Sequence, residues 1–233
     1  MIKTQEVVID MSLMDYERPS LTTDIVLMRI DERQSKNNRK NNEKCLQVLL
    51  AKRNAAPQAN KWSLPGGFVD IDEEIGANVK RKLAEKTGVT GNFYLEQLYT
   101  WGGLHRDERG RVISVSYLGL VNDQTYVEGV GTAEKIWVDV YEALNMDLAF
   151  DHKEILAYAM QRIENKAEYT DLLFNLLPSE FTIKDCQMVY EVALNKKMDN
   201  FKRRINKYLE STNKISGGKQ YRPAELFTWK KEV

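Results

Sequence analysis

Cysteine is nearly missing from this chain, and so is any excess of charge: 233 residues carry two cysteines, with 34 Lys and Arg set against 34 Asp and Glu. Cys45 and Cys186 lie far apart without ligand-like spacing, so neither a disulfide framework nor a zinc module is indicated. No apolar run approaches the length of a membrane span, and the Met1 end lacks the basic-then-apolar pattern of a signal segment. The expectation is a reduced, cytoplasmic protein that makes no use of a membrane. A net charge of zero excludes nothing about partners, but its distribution does more. From Lys196 onward there are eleven basic residues and four acidic ones, a charge of +7, which leaves −7 on the rest. An acidic body with a basic C-terminal end points to a polyanion-binding appendage.

The length suits one domain of about 150 residues followed by a small second one. TTDIVLMRI (22–30) and LQVLLAKR (46–53) are rich in β-branched and apolar residues and predict strands, with further strands at 93–100, 112–121 and 134–139. Between the first two, DERQSKNNRKNNEK has no apolar periodicity and reads as a long loop or insert (31–44), solvated or touching nucleic acid. Helices are expected at 73–87 and 151–166, which makes residues 1–167 a layered, mixed α/β (α+β) domain.

Residues 168–233 have a different character. Thr182 with Asp185 three residues on opens a helix in capping-box style, and Ile183, Cys186, Val189, Val192 and Ala193 give it an apolar stripe. After KKMD, the stretch NFKRRINKYLEST places Phe201, Ile205, Tyr208 and Leu209 on one helical face, with Lys202, Arg203, Arg204 and Lys207 opposite. ISGGKQYRPAELFTW then supplies a Gly-Gly turn carrying Lys219, Tyr221 and Arg222. Helix, turn, basic helix and basic hairpin is the order of a winged helix-turn-helix. A helical cap with a solvated basic face has the same composition. The concentration of charge on the second helix and the hairpin favours double-stranded DNA, with phosphates neutralised by Lys and Arg and a guanine edge open to Arg203 or Arg204.

WSLPGGFVDIDEEIGANVKRKLAEKTGV resembles the signature of the Nudix hydrolases, with Gly67, Glu73, Arg81, Leu83, Glu85, Gly88 and Val89 in register. The resemblance implies a mixed sheet sandwiched between helices. It also implies water attack on a pyrophosphate assisted by Mg²⁺, a hard cation needing anionic oxygens. Three helix carboxylates would supply them, but those positions here hold Lys82, Glu85 and Lys86. A protonated lysine cannot ligate Mg²⁺. No catalytic residue and no required cofactor is therefore expected: Glu73, Arg81 and Glu85 are residual positions, and Glu85 is the one metal ligand left should there be any. Glu74, Glu108 and Glu154 are the remaining carboxylates that could rebuild a site.

RKLAEKTG, YLEQLYTWGGLHRDERGRVISVSYLGLV, MDLAFDHKEIL and the basic tail with FKRRI and GGKQYRP together resemble the Nudix-related transcriptional regulators, the NrtR group. That resemblance runs from about residue 20 to about 230 and implies homodimeric repressors of NAD-metabolism genes that sense ADP-ribose or a related nucleotide, a sugar in some relatives. On it, the ligand-binding candidates are Arg53, Gly66, Gly67, Phe68, Arg81, Lys82, Glu85, Arg106, Arg109 and His152, and the DNA-binding ones Lys202, Arg203, Arg204, Lys207, Lys219, Tyr221 and Arg222. Trp62 and Trp101 could stack an adenine or fill the core. Asp151 and Glu154 form a helix start, beside which His152 could be structural. The competing activity is an ADP-ribose pyrophosphatase using Mg²⁺, its tail serving dimerisation.

Overall fold

The computed structural model describes residues 16–33, 43–91, 93–122, 127–128, 134–216 and 223–230. In chain order the elements are β1 (Ser20–Arg33), β2 (Glu43–Lys52), β3 (Trp62–Ser63), β4 (Gly66–Phe68), α1 (Ile75–Thr87), β5 (Val89–Thr90), β6 (Tyr94–Trp101), β7 (Val112–Leu120), β8 (Val127–Glu128), β9 (Lys135–Asp139), α2 (Val140–Ala143), α3 (His152–Ala167), α4 (Ile183–Leu194), α5 (Phe201–Ile205), β10 (Leu209–Ile215) and β11 (Glu225–Trp229). Seven strands form one mixed sheet along β3-β2-β1-β7-β6, with β4 added to β1 and β9 to β2. β1 runs parallel to β7 and antiparallel to β2 and β4.

Alternation along β1 and β2 sorts the core into two layers. Ile25, Leu27 and Leu49 face α1, where Val79 and Leu83 are fully buried; Val26, Met28, Leu46, Val48 and Leu50 face α3 and, beyond it, α4. The expected sandwich is therefore present. The second layer does not stop at the end of α3: Phe174, Phe181, Tyr190, Phe201, Ile205 and Tyr208 belong to the same buried cluster. Burial of each such side chain contributes about 2 kcal/mol, so the C-terminal module is packed onto the sheet rather than tethered to it.

The chain makes two departures from the sequence expectation. The 31–44 stretch is shorter as a loop than its polarity suggests, since Asp31, Glu32 and Arg33 pair with Cys45, Lys44 and Glu43; its middle lies outside the described residues. The helix expected across NFKRRINKYLEST ends at Ile205, followed by a 3-10 turn at Asn206–Tyr208, and Leu209–Ile215 is a strand paired with Glu225–Trp229. Pairing with a distant segment overrides the helical spacing of Leu209.

The first helix of the C-terminal module follows its local signals. Thr182 and Asp185 form the reciprocal capping box of α4, and Asn195 closes it in the left-handed conformation at φ 47°. Glu191 holds the turn to α5, accepting from Lys197 Nζ at 2.7 Å and the Met198 amide at 3.1 Å.

Candidate functional site: a cationic cavity

A cavity of about 320 Å³ opens where β1, β2, β4 and α1 meet the 106–109 turn and the start of α3. Six cationic side chains line it, Lys52, Arg53, Lys82, Lys86, Arg106 and Arg109, against three acidic ones, Asp24, Asp70 and Asp107. A volume of this size with a polar, positive wall fits a small anionic ligand.

The floor is a buried charge cluster built around Asp24. Its Oδ2 accepts from Ser114 Oγ at 2.6 Å and from Arg106 Nη2 at 3.2 Å, and its Oδ1 lies 3.3 Å from His152 Nε2. His152 Nδ1 accepts from the Leu64 amide at 2.9 Å, so the ring proton sits on Nε2 and faces Asp24. Burial alone would raise the Asp24 pKa; His152, Ser114 and Arg106 outweigh it and hold the group at about 2. Arg106 also donates Nε and Nη2 to the two oxygens of Asp151, at 2.8 and 2.7 Å. Asp151 stands at the N-cap of α3 with Glu154 in its first turn, the helix start expected, but its side chain makes no capping bond to that helix.

The cavity's upper wall is aromatic and cationic. Arg53 lies 4.6 Å above the Phe150 ring, and Arg109 lies 5.0 Å from Phe68 and 5.7 Å from Phe150. Arg53 donates to the Pro57 carbonyl at 3.1 and 2.8 Å, while Arg109 is gripped by Asp107 through Nε at 2.9 Å and Nη2 at 2.6 Å. These bonds fix both guanidinium planes before a ligand arrives. Phe150 itself stands at φ 53°, a left-handed conformation costly for an aromatic residue and held by the surrounding structure.

Helix α1 closes the remaining side. Gly88 caps it in the left-handed conformation at φ 73°, the role its place in the signature requires. Gly66 admits no side chain, since a Cβ there would lie 2.0 Å from the Thr23 carbonyl oxygen. Lys82 lies along Gly67, with its Cε 3.0 Å from where a Cβ would sit, and its Nζ donates to Glu85 Oε2 at 3.3 Å. Arg81 turns away from the cavity into a knot of carboxylates, donating to Glu73 at 2.7 and 2.5 Å, Asp70 at 2.8 Å and Glu85 at 3.0 Å. Hydrogen bonds from Arg81, reinforced by Asn78, hold Glu73 at about 2 against the cost of its partial desolvation.

These donors do not fit the family's Mg²⁺. Two of its three positions present ammonium groups, and both oxygens of the third, Glu85, accept from Arg81 and Lys82. Among the described residues no three His, Cys, Asp or Glu side chains are grouped so as to hold a metal ion. Glu74 is the N-cap of α1, Glu108 an exposed turn residue, and Glu154 lines a different groove with Trp101.

Of the sequence candidates, Arg53, Gly66, Gly67, Phe68, Lys82, Arg106, Arg109 and His152 converge on the cavity; Arg81 and Glu85 stand outside its lining. Trp62 packs against the core, and Trp101 donates to Ser116 Oγ at 2.9 Å in a cluster with Tyr99 and Tyr158. Neither lines the cavity. Phe150, Asp107 and Asp24 also line the cavity, at positions outside the sequence candidates. Asp24 alone carried a signal, a charge inside the apolar run TTDIVLM. Lys202, Arg203, Arg204 and Lys207 all lie on the exposed side of α5 and its 3-10 extension; Lys219, Tyr221 and Arg222 lie outside the described residues.

Comparison with known proteins places both halves. Residues 37–159 match the NUDIX domain family and residues 173–229 the NrtR DNA-binding winged helix domain. The chain is 38% identical over 222 residues to the ADPR responsive transcriptional repressor NtrR of Acinetobacter baylyi, covering 91% of this chain and 83% of that one. The crystal structure of Shewanella oneidensis NrtR complexed with a 27mer DNA matches with TM-score 0.75 and 34% identity, over 90% of this chain and 93% of that chain. The NUDIX domain of the same Shewanella oneidensis protein complexed with ADP ribose matches with TM-score 0.53 and 34% identity, over 66% and 94%.

Proposed function

We propose that this chain, which belongs to the NrtR family of Nudix-related transcriptional regulators, is a DNA-binding repressor that holds ADP-ribose in the cationic cavity without cleaving it and leaves its operator in response. The observation that carries this reading is the replacement of metal-binding carboxylates by Lys82 and Lys86 in a cavity lined by six cations. The pyrophosphate that Mg²⁺ would bridge in a hydrolase is met here by Lys82, Lys86, Arg53 and Arg109, with Gly66 and Gly67 presenting main chain alongside. The Phe68 and Phe150 rings, each already under a guanidinium, offer flat faces to a base or ribose.

The sensing unit occupies 1–167 and the DNA-binding unit 168–233. Lys202, Arg203 and Lys207 on the recognition segment neutralise phosphates, and Lys219, Tyr221 and Arg222, outside the described residues, are the further candidates for DNA contact. As a homodimer the protein presents two such segments to half-sites about 34 Å apart. No described helix is long and apolar enough to cross a membrane, which suits a regulator acting in the cytoplasm on chromosomal DNA.

Fluorescence anisotropy tests this with a duplex selected by the protein from a random pool. Binding should weaken steeply with salt and reverse on adding ADP-ribose in EDTA. Absence of duplex binding at low salt removes the repressor reading, and reversal only with divalent metal removes the metal-free one.

A further inference from the structure

We propose that α3 is a lever between the two sites, caught at the cavity end by Arg106 and at the DNA end by Arg204. The inference rests on the functional reading above but concerns the coupling of the sites. α3 has 16 residues, about 24 Å of rigid helix.

At its start Asp151 differs from the residues that open α2 and α4. Asp139 accepts from the Tyr141 and Glu142 amides, and Thr182 accepts from the Asp185 amide. Asp151 caps nothing and gives both oxygens to Arg106, whose side chain is only 6% exposed and also reaches Asp24. The Nε and Nη2 of the guanidinium that lines the cavity are therefore held by two carboxylates, which leaves Nη1 for a ligand. A ligand pyrophosphate that pulls on Nη1 competes with both carboxylates for the same cation, and Asp151 is the more exposed of the two, at 20% against 10%.

At its end the last carbonyls of α3 need donors from elsewhere. Arg204 supplies one, donating Nη2 to the Ala167 carbonyl at 2.7 Å, where the negative end of the helix favours a cation. Tyr208 Oη approaches the Tyr169 carbonyl at 3.4 Å. Both donors belong to the segment that carries Lys202, Arg203 and Lys207. Arg204 thus commits one nitrogen of its guanidinium to orienting the recognition segment. Between these ends, Ile155, Leu156, Ala159 and Ile163 pack the helix against the sheet, so release at one end shifts it as a body.

In operation, ligand draws Arg106 from Asp151, the freed end of α3 moves, and Arg204 carries that movement into the recognition segment. In a dimer a small displacement of each segment spoils the half-site spacing.

Two arms of one experiment test this. The first needs neither ligand nor DNA: hydrogen exchange of the full chain with Asp151→Asn should rise at 152–156 and also at 203–208, across the length of the helix. A rise confined to 152–156 overturns the lever. Arg106→Lys, which keeps the charge and loses the fork, makes the same cut if Asp151→Asn is unstable.

The second arm measures the ratio of duplex affinities without and with ADP-ribose. Arg204→Ala and Asp151→Asn should each reduce that ratio by at least about fivefold, and Arg204→Lys should restore most of it. ADP-ribose affinity without DNA should be unchanged in Arg204→Ala, and unchanged or higher in Asp151→Asn. An undiminished ratio in both variants overturns the lever. Failure of ADP-ribose to affect the wild-type complex instead removes the functional reading, while the exchange arm still decides the lever.

Discussion

The cavity and the recognition segment both concentrate positive charge, and they hold it in opposite ways. In the cavity, Arg109 is gripped by Asp107 through two nitrogens, Arg53 is bonded to the Pro57 carbonyl through two of its own, and Lys82 is folded along Gly67. On α5 and its extension, Lys202, Arg203 and Lys207 stand at the exposed surface. Fixed cations have lost their side-chain entropy on folding and present one geometry, which selects among ligands. Exposed cations work by releasing counterions from phosphates, which gives affinity without much selectivity. On the proposed reading, one protein recognises a small anion by position and a large one by charge density.

The contrast can be broken most severely at Asp24. Replacing it by Ala takes one of two counter-charges from the buried Arg106 and leaves the His152 Nε2–H without its acceptor, which should cost about 4 kcal/mol in urea unfolding. Acid attacks the same group more gently. Its folded pKa of about 2 lies below the ordinary 3.8, so its contribution is complete above about pH 4 and disappears as pH falls toward 2. About 2 kcal/mol of stability should be lost across that window, and Asp24→Asn should flatten the loss.

Converting Lys82 and Lys86 together to Glu should weaken metal-free ADP-ribose binding at least tenfold, about 1.4 kcal/mol or more by calorimetry, without altering the fold. Thr182→Ala, which opens the capping box of α4, should cost about 1 kcal/mol in thermal unfolding. The smallest effect on stability belongs to Lys202→Ala, within about 0.5 kcal/mol. Its signature is a drop of about one in the slope of log affinity against log salt for duplex DNA.

How much of this could be read from the chain follows the distance between interacting residues. The Nudix signature and the Thr182 capping box are contiguous, and their spacing alone predicts α1 and the start of α4. The two faces of β1 follow from alternation. Arg106 was nameable from RDERG, but its partners were not, because Asp151 and Asp24 lie 45 and 82 residues away. Phe150 owes its place to a left-handed backbone that no local pattern announces. LESTNKI continued a helical spacing and became a strand because its partner lies beyond the hairpin. Arg204 shows the same limit: its exposed position was legible, its bond to Ala167 was not.

The central claim is that the cavity binds a pyrophosphate by fixed side-chain cations and leaves it whole. The most direct measurement incubates the protein with ADP-ribose and Mg²⁺, or Mn²⁺, and follows the phosphorus resonances while binding is monitored calorimetrically. The account predicts saturable binding of equal strength in EDTA, with ADP-ribose recovered intact. Formation of AMP and ribose 5-phosphate, abolished by Glu85→Gln, would contradict it.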